Sequence, residues 1–440
     1  MRKNDIINHK IFFSEVKALA LTFKGGVYIP QNKNTQAKET RIFGSPKTVC
    51  IPVPESCTPT VKKGDRVDIG QVIGEVAGGM GCPVHASISG TVTAVENKEN
   101  IDYITIGNDG EERISTDVKP YDGSFDDLSF EDIVDTVRRA GIPAYKDIQE
   151  AKGKADTLIV NCVESEPYLI ATHRLLVEEL DSVLGGMKIL LKALGLRTAD
   201  IAIDDNKPDT VRIIREKTKD GGYADIKVVK SKYPQTDDRV LVYAVADREI
   251  SAGKAAVDVG CAVFDARTCA DIYNAFVYGM PLIRCSVTVD GDCVKEPCCV
   301  RCPIGTSFSE LIDFCGGALS EIKYLINGDP MTGEAQGDID TPVTKDSVAV
   351  LAFSDKLNPS YGQPSACIRC GRCVSACPMR LMPNYLAVFA SEGRYDLCKK
   401  YDVMSCIECG VCSYVCPGNM PITQLNREAK ERVNMNGGEE

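Results

Sequence analysis

Residues 367–378 read Cys-Ile-Arg-Cys-Gly-Arg-Cys-Val-Ser-Ala-Cys-Pro, and residues 406–417 read Cys-Ile-Glu-Cys-Gly-Val-Cys-Ser-Tyr-Val-Cys-Pro. Both stretches have the spacing C-x2-C-x2-C-x3-C-P, and this pair is the only internal repeat that we find in the sequence. Three thiolates at this spacing can hold three corners of an iron–sulfur cube, while the fourth cysteine of each run binds the neighbouring cube. The repeat therefore predicts two [4Fe–4S] clusters that relay single electrons.

The exchange of fourth ligands between the two runs predicts two sets of four thiolates. The first ligand set consists of Cys367, Cys370, Cys373 and Cys416. The second ligand set consists of Cys406, Cys409, Cys412 and Cys377. Structural zinc sites also use C-x2-C pairs, but zinc does not account for the third cysteine or for the Cys-Pro end of each run. We therefore expect iron–sulfur chemistry.

The overall composition is that of an acidic globular protein. The chain has 440 residues, of which 44% are hydrophobic and 26% charged, and this length corresponds to about three domains. Its 51 Lys and Arg against 62 Asp and Glu give a net charge of −11, so a nucleic-acid partner is not expected. No apolar run is long enough for a membrane span, and the polar N-terminus shows no secretory signal. We therefore predict a cytoplasmic protein, and peripheral association with a membrane stays open.

Upstream of the cysteine runs, the hydrophobic pattern indicates three different kinds of structure. Residues 48–106 contain short apolar runs in which 61–75 and 83–92 read as strand–turn–strand, similar to the barrel-sandwich hybrid of lipoyl and biotinyl domains. No Met-Lys-Met carrier motif occurs there, so no covalently carried cofactor is predicted. Residues 130–282 alternate strands and helices, which predicts an α/β domain with a largely parallel sheet. Residues 284–351 are again rich in predicted strands.

Over most of its length the sequence resembles the C subunit of the Rnf ion-translocating electron-transport complex. Besides the two cysteine runs, the matching stretches are residues 23–26, 83–90, 155–161, 164–168, 172–174, 232–235, 258–260, 303–306 and 314–317. The resemblance implies electron acceptance from NADH through FMN, with Glu164, Glu166 and Tyr168 as the flavin-site motif.

The resemblance also implies a multidomain α+β and α/β chain. Its expected segments are an irregular lead-in (1–45), a barrel-sandwich hybrid (46–125), an α/β domain like the flavin subunit of complex I (126–282), an SLBB β-grasp domain (283–350), a helical ferredoxin-type domain with two clusters (351–430) and a tail (431–440).

Two departures from the family pattern concern the flavin. Where the family has a loop of the type G-M-G-G-A-G-F-P, residues 138–145 read Arg-Arg-Ala-Gly-Ile-Pro-Ala-Tyr. Where it has Y-P-Q-G-G-E-K-Q, this chain has Thr236 and Asp237 in place of the two glycines. Glycines let backbone N–H groups approach a phosphate closely, whereas Cβ atoms and carboxylates oppose that approach. The sequence therefore predicts weak or absent binding of FMN and NADH.

Additional cysteines stand where the family usually has other residues: Cys293, Cys298, Cys299 and Cys302. In a reducing cytosol, thiols are ligands or redox groups more often than bridges, although a buried cysteine is commonly a small hydrophobe. Inert packing, redox-active thiols and a further metal site all stay open. For a redox pair, Cys293–Cys298 or Cys299–Cys302 is the sterically reasonable choice. Cys82, in a Gly-rich hairpin loop, is expected to be an accessible thiol and is a further redox candidate.

The loss of the glycine loop together with the added thiols is similar to the proline reductase-associated electron-transfer branch of the family (PrdC), found in amino-acid-fermenting anaerobes. We therefore predict an electron-transfer protein that relays electrons through two clusters to a thiol- or selenol-dependent reductase such as D-proline reductase. The alternative is an NADH-oxidising, FMN-containing subunit of a membrane-associated Rnf complex. A third interpretation is a structural or thiol-binding protein with architectural clusters. The first two require a protein redox partner, and NADH-dependent oxidoreductase activity of the chain itself stays open.

Overall fold

The structure is a computed structural model that describes residues 20–76, 78, 81–98, 100–357 and 364–436. Parts of the predicted lead-in and tail, residues 1–19 and 437–440, lie outside these described residues. The described chain forms the barrel, α/β, β-grasp and helical units in the order that the sequence predicted. Within the described ranges, no helix is both long and apolar enough to cross a bilayer.

The barrel-sandwich unit consists of two antiparallel sheets. The first strand of the chain, β1 Arg41–Ile42, belongs to the β-grasp sheet described below. The strands of the barrel unit are β2 Thr48–Val53, β3 Cys57–Pro59, β4 Arg66–Val67, β5 Val72–Val76, β6 Val84–His85, β7 Gly90–Lys98 and β8 Ile101–Asn108. One sheet has the order β2-β8-β7-β4 and the other the order β3-β5-β6. Alternate residues of β2, Val49, Ile51 and Val53, face the core between the sheets, as the two-residue period of a strand requires. Both predicted strand–turn–strand segments are confirmed.

The α/β unit is built on a four-stranded parallel sheet. Its helices and strands are α1 Phe130–Arg139, α2 Tyr145–Ala151, β9 Thr157–Asn161, α3 Ala171–Glu178, α4 Leu180–Leu194, β10 Ala199–Asp204, α5 Pro208–Thr218, β11 Ala224–Val229, α6 Asp238–Ala246, β12 Cys261–Asp265 and α7 Ala266–Val277, with 3-10 turns at Phe125–Asp127 and Ala256–Val259. The strand order is β11-β10-β9-β12, and every pair is parallel. The carboxyl ends of β9 and β12 therefore meet at one edge, where open α/β sheets bind their ligands.

The β-grasp unit contains a mixed six-stranded sheet and one short helix. Its elements are β13 Arg284–Asp290, β14 Cys298–Pro303, α8 Phe308–Phe314, β15 Tyr324–Asn327, β16 Glu334–Ala335 and β17 Ala349–Phe353, followed by a 3-10 turn at Asp355–Leu357. The strand order is β1-β14-β13-β17-β15-β16. Helix α8 begins where the Ser307 side chain accepts a hydrogen bond from the Glu310 N–H (3.3 Å), which satisfies a free donor of the first helical turn.

The described part of the lead-in is more ordered than the expected irregular segment. Strand β1 pairs in parallel with β14 at the edge of the β-grasp sheet. Leu21 donates its N–H to the Val228 carbonyl (2.7 Å) beside the α/β sheet. Sheet edges present unpaired N–H and C=O groups, and a short extended segment satisfies them even when glycines and prolines interrupt it.

The C-terminal unit is helical and packs against the α/β unit. Its helices are α9 Arg372–Ala376, α10 Pro383–Ser391, α11 Tyr395–Lys400, α12 Val411–Tyr414 and α13 Ile422–Asn436, with a 3-10 turn at Val403–Ser405. The Gly26 N–H donates to the Ala376 carbonyl (2.7 Å). The buried Tyr233 hydroxyl donates to the Cys409 carbonyl (2.8 Å). Both bonds tie the two cysteine runs to the rest of the molecule.

Candidate electron-transfer site

The first ligand set surrounds a small cavity in the helical unit. Its four sulfurs come from the loop before α9, from α9 itself and from the end of the second run. The loop turns sharply because Arg369 and Gly371 adopt left-handed backbone conformations, with φ of 57° and 75°. This turn directs the Arg369 N–H at the Cys367 sulfur (3.4 Å). Hydrogen bonds to sulfur are one of the means by which a protein tunes an iron–sulfur centre.

The second ligand set surrounds a similar cavity, and Cys377 of the first run completes it. Glu408 and Gly410 repeat the left-handed turn, with φ of 55° and 77°. The Glu408 N–H points at the Cys406 sulfur (3.4 Å), and the Leu381 N–H points at the Cys377 sulfur (3.4 Å). The sequence repeat is thus also a repeat of backbone geometry.

The four cysteines of each ligand set line one cavity of their own. In the described part of the chain, no cluster of three or more Cys, His, Asp or Glu side chains closes on a single metal position. The sulfurs instead line the walls of each cavity, which suits a cube whose corners each take one thiolate.

The two ligand sets differ in exposure. Cys367 and Cys370 are exposed, and Ile368 between them has 68% of its surface accessible. The second ligand set has no exposed member, and the ring of Tyr233 covers it from the α/β side. The first set therefore faces solvent, whereas the second faces the body of the molecule.

A cavity of about 500 Å³ lies between the α/β and β-grasp units. It opens at the carboxyl ends of β9 and β12, where Asn161 and Asp265 line it, and Arg267 and Lys345 supply cations. This is the edge at which a doubly wound sheet binds its ligand. Of the three flavin-motif residues, Glu164 and Glu166 line the cavity, while the ring of Tyr168 packs on Phe353 with 5.3 Å between centroids.

The two glutamates of the motif have different electrostatic environments. Burial opposes ionisation of Glu164, but the ammonium groups of Lys207 (3.4 Å) and Lys33 (3.6 Å) outweigh it and lower the Glu164 pKa. Burial, reinforced by Asp329, raises the pKa of Glu166 to about 7. Glu164 therefore belongs to a buried ion-pair network, whereas Glu166 is one of two cavity carboxyls, with Asp271, whose pKa burial raises to about 7.

The loop at residues 138–145 does not present a row of free backbone donors. Several of its N–H groups are used within the loop, since Gly141 donates to the Arg138 carbonyl (3.0 Å) and Ile142 to the Val137 carbonyl (3.1 Å). Pro143 has no N–H, and Tyr145 donates to the Ile142 carbonyl (3.4 Å). A phosphate bound at a helix N-terminus requires such donors to be available. The loop therefore offers a phosphate fewer free N–H groups than a glycine-rich loop would.

The two residues that replace the glycines of the second family signature have local roles. The Thr236 hydroxyl donates to Glu166 (3.0 Å) and lies 2.8 Å from the Ser165 hydroxyl. The Asp237 carboxylate accepts the Arg239 N–H (3.0 Å) and caps α6. Thr236 therefore occupies space next to the cavity glutamate that a glycine would leave free.

The four added cysteines of the β-grasp unit are all buried, with at most 2% of their surface accessible. The structure does not bring Cys299 and Cys302 together, because they lie three residues apart on β14 and strand side chains alternate in direction. The Cys293 sulfur lies 3.3 Å from the Ser320 hydroxyl. The Cys298 sulfur instead lies 3.7 Å from the Cys315 sulfur. Cys302 lies directly opposite Cys285 across the β13–β14 pair.

Cys315 and Cys285 are thus neighbours of the added thiols that the sequence did not predict. The two-residue period of a strand could have predicted that Cys299 points to the opposite face of β14 from Cys298 and Cys302. No spacing rule could have identified a partner on another element.

Cys82 is not the accessible loop thiol that we expected. It is half-buried, its sulfur donates to the Ile142 carbonyl (3.4 Å), and its side chain packs against the α/β core. Burial raises the pKa of the Cys82 thiol. Two other members of that loop, Gly79 and Met80, lie outside the described residues.

Four family profiles match the chain. They are the RnfC barrel-sandwich hybrid domain at residues 21–111, the Nuo51 FMN-binding domain at 136–274, the SLBB domain at 286–335 and the 4Fe-4S dicluster domain at 366–420. This succession defines the class as an iron–sulfur redox subunit of an oxidoreductase, and it confirms the predicted fold.

Similarity to known proteins over most of the chain identifies its family. The C subunit of the Na(+)-translocating ferredoxin:NAD(+) oxidoreductase complex of Acetobacterium woodii is 35% identical over 87% of this chain and 90% of its own. The C subunit of the proton-translocating ferredoxin:NAD(+) oxidoreductase complex of Clostridium ljungdahlii is 34% identical over 86% of both chains. The chain belongs to the family of C subunits of ion-translocating (Rnf) oxidoreductase complexes. Among solved structures, the H2-reduced NAD+-reducing [NiFe]-hydrogenase matches with a TM-score of 0.48 and 14% identity over 72% of this chain and 63% of that one.

Proposed function

We propose that the chain is the electron-transfer subunit of an Rnf-type assembly and carries electrons through two [4Fe–4S] clusters to or from a protein partner. The observation that carries this proposal is the pair of four-cysteine cavities, one facing solvent and one facing the α/β unit. A cluster at the surface can exchange electrons with a partner, and a second cluster beside it can relay those electrons further into the assembly. The two ligand sets have that arrangement.

The residues around each cavity would hold and tune the bound group. When bound, [4Fe–4S] clusters supply one-electron transfer. The thiolates of the two ligand sets are the proposed ligands, and the Arg369 and Glu408 N–H groups would hydrogen-bond to their sulfurs. Lys430 donates to the Cys406 carbonyl (2.8 Å) and to Glu408 (2.6 Å), so it joins the second ligand set to α13.

The partner would bind at the first ligand set. Cys367 and Cys370 are exposed there, and the guanidinium groups of Arg369 and Arg372 are exposed beside them. A positive surface around an exposed centre favours a partner with an acidic face, because complementary charges accelerate encounter. Electrons would then pass between this surface and the second set, which is closer to the α/β unit.

The comparisons favour an Rnf-type assembly over delivery to a proline reductase, because the relatives named above are subunits of ion-translocating complexes. The flavin domain profile supports the NADH- and FMN-dependent form of that function. The occupied donors of the 138–145 loop oppose it. We therefore propose that this chain exchanges electrons through its clusters and binds FMN weakly or not at all.

Metal and sulfide analysis tests the proposal directly. After anaerobic preparation we expect about eight irons and about eight acid-labile sulfides per chain. The visible spectrum should show the broad absorption of iron–sulfur centres, which bleaches on reduction. Stoichiometric zinc without sulfide would contradict the proposal.

A second candidate function is delivery of electrons to a thiol- or selenol-dependent reductase, as in the proline reductase-associated branch. The observation that favours it is the set of thiols at positions 285, 298, 302 and 315, which no cluster uses. Mixing the reduced chain with D-proline reductase and D-proline under anoxia should then reoxidise the clusters. Cluster absorption that stays bleached in that mixture would eliminate this candidate.

A further inference from the structure

A pair of thiols lies at one end of the β-grasp sheet, outside both ligand sets. Cys298 begins β14 and Cys315 follows α8, and their sulfurs are 3.7 Å apart. The Glu296 N–H donates to the Cys315 carbonyl (2.8 Å), so the backbone segments that carry the two thiols are bonded to each other. The two sulfurs are therefore held together by the fold, and a small movement would bring them to bonding distance.

A single flexible side chain lies next to this pair. The Arg41 guanidinium donates to the Phe314 carbonyl (3.0 Å), stands 4.3 Å from the centre of the Phe314 ring and pairs with Glu296 (3.5 Å). It also interacts with the Cys298 sulfur, and its side chain is 40% exposed. The buried Cys298 sulfur thus lies against a side chain that is itself partly exposed to solvent.

The two thiols have opposite acid–base tendencies. The hydrogen bond between the two sulfurs lowers the pKa of Cys298, burial opposes this, and the Arg41 guanidinium adds to the lowering. The same hydrogen bond, together with burial, raises the pKa of Cys315. Since the thiolate is the reactive form, the position of the Arg41 guanidinium against the Cys298 sulfur makes Cys298 the attacking thiol and Cys315 its resolving partner.

We propose that Cys298 and Cys315 form a redox-active dithiol that reduces low-molecular-weight disulfides. The Cys298 thiolate attacks one sulfur of the disulfide R–S–S–R, which forms a mixed disulfide and releases one thiolate RS⁻. Cys315 then gives up its proton and attacks the Cys298 sulfur, which releases the second RS⁻. Two protein thiols and one R–S–S–R thus become one protein disulfide and two R–SH, and two electrons pass to the small disulfide.

The neighbouring cysteines provide the contrast that separates this role from packing. Cys299 is the next residue on β14 and points to the other face, and burial raises its pKa to about 12. The Cys293 sulfur lies 3.3 Å from the Ser320 hydroxyl. Both are as deeply buried as Cys298. If all three cysteines served only in packing, they should therefore respond alike to an added disulfide.

Peptide mapping after oxidation tests the proposal. The anaerobic chain with its clusters is incubated with oxidised glutathione, its free thiols are blocked with N-ethylmaleimide, and it is digested with trypsin. Residues 296–301 and 302–323 fall on separate fragments. In the double variant Cys299→Ser/Cys302→Ser, only the Cys298–Cys315 bond can join them, and we expect the joined fragment with the cluster absorption retained.

Single variants separate the two roles. Addition of Cys315→Ser should abolish the joined fragment and trap glutathione on Cys298, whereas addition of Cys298→Ser should leave Cys315 unmodified. Cys293→Ser is the matched control and should leave the joined fragment unchanged. The proposal is overturned if the fragments join only in denaturant, or if glutathione accumulates on Cys315 in place of Cys298. Cluster content is read separately by iron analysis, so this outcome is independent of the proposed electron-transfer function.

Discussion

Cys377 ends the first cysteine run, yet its sulfur lines the cavity formed by Cys406, Cys409 and Cys412 of the second run. Cys416 makes the reciprocal crossing to the first cavity. Each cavity is therefore completed by a residue from the other run, and neither run can build a complete site alone.

Substitutions at Cys377 test this exchange. We expect Cys377→Ala to lower the iron content from about eight to about four per chain. Adding Cys409→Ala should remove no further iron because both residues serve one set, whereas adding Cys370→Ala should remove the remainder. Iron and sulfide analysis measures both outcomes. Cys398→Ala, which removes a buried cysteine whose sulfur contacts the Leu386 carbonyl (3.7 Å), is the control and should keep all the iron.

The opposite pattern is equally easy to recognise. If Cys377→Ala/Cys370→Ala kept half of the iron and Cys377→Ala/Cys409→Ala kept none, then the fourth ligands would belong to their own runs and the exchange would be wrong.

Glu166 should make stability depend on pH. Its pKa is raised from 4.5 to about 7, first by burial and then by Asp329. Between pH 4.5 and pH 7, Glu166 therefore keeps its proton in the folded chain and has lost it in the unfolded chain. The free energy of unfolding consequently falls as the pH rises through this interval, by at most about 3 kcal/mol. Glu166→Gln removes this dependence. In anaerobic denaturant titrations, the unfolding free energy of the variant minus that of the wild type should therefore increase as the pH rises from 4.5 to 7. An identical slope for both proteins would contradict the prediction, and Glu150→Gln on the surface is the control.

At the scale of single elements, β14 shows how a strand sorts a cluster of cysteines. Cys298 and Cys302 lie on the face that packs into the β-grasp core with Cys285 and Cys315, while Cys299 points away from it. The strand places each of the two core-facing thiols against a different partner. Neighbours in sequence are therefore not the neighbours that react.

The loop at 138–145 carries the prediction on flavin. We expect excess chain to leave the fluorescence of added FMN largely unquenched, because the loop N–H groups already bond to carbonyls at positions 136, 137, 138 and 142. Fluorescence titration and the flavin content of anaerobically purified protein both measure this. Tight, stoichiometric binding would show that other residues of the cavity replace the glycine loop, and would support the NADH-oxidising form of the Rnf function.

For the whole molecule, the position of the helical unit depends on a very close contact at Gly25. Gly25 has φ of 76°, and a Cβ atom there would lie 2.5 Å from the Cys377 carbonyl oxygen. Together with the Gly26 and Tyr233 hydrogen bonds, this contact holds the second ligand set against the α/β unit. The distance between the α/β cavity and the clusters therefore depends on this interface.

Gly25→Ala should loosen the interface. The left-handed conformation costs an alanine roughly 1 kcal/mol, and the overlap with the Cys377 carbonyl adds to that cost. We expect a lower unfolding temperature and an altered EPR signal of the reduced second cluster. Gly195→Ala is the matched control, because Gly195 has φ of 74° with open space around it. This variant should lose only the stability that the left-handed backbone conformation costs an alanine. Equal effects of the two substitutions would show that the contact does not matter.

The spacing of the cysteine runs, the alternation of strands and helices and the apolar periodicity were sufficient for the order of units and the parallel α/β sheet. These features are local, since each depends on residues a few positions apart in the chain. The alternation of strands and helices predicted for residues 130–282 is confirmed. The predicted ligand sets were also available from the sequence, because the cysteine spacing itself encodes the exchange.

Only the tertiary structure decided the contacts between distant segments. It paired Cys298 with Cys315, buried Cys82 against the α/β core and brought the lead-in onto two sheet edges. It also showed that the 138–145 loop uses its own backbone donors. Burial and partner choice depend on how separate elements pack, and no local pattern records which face of one element meets which face of another.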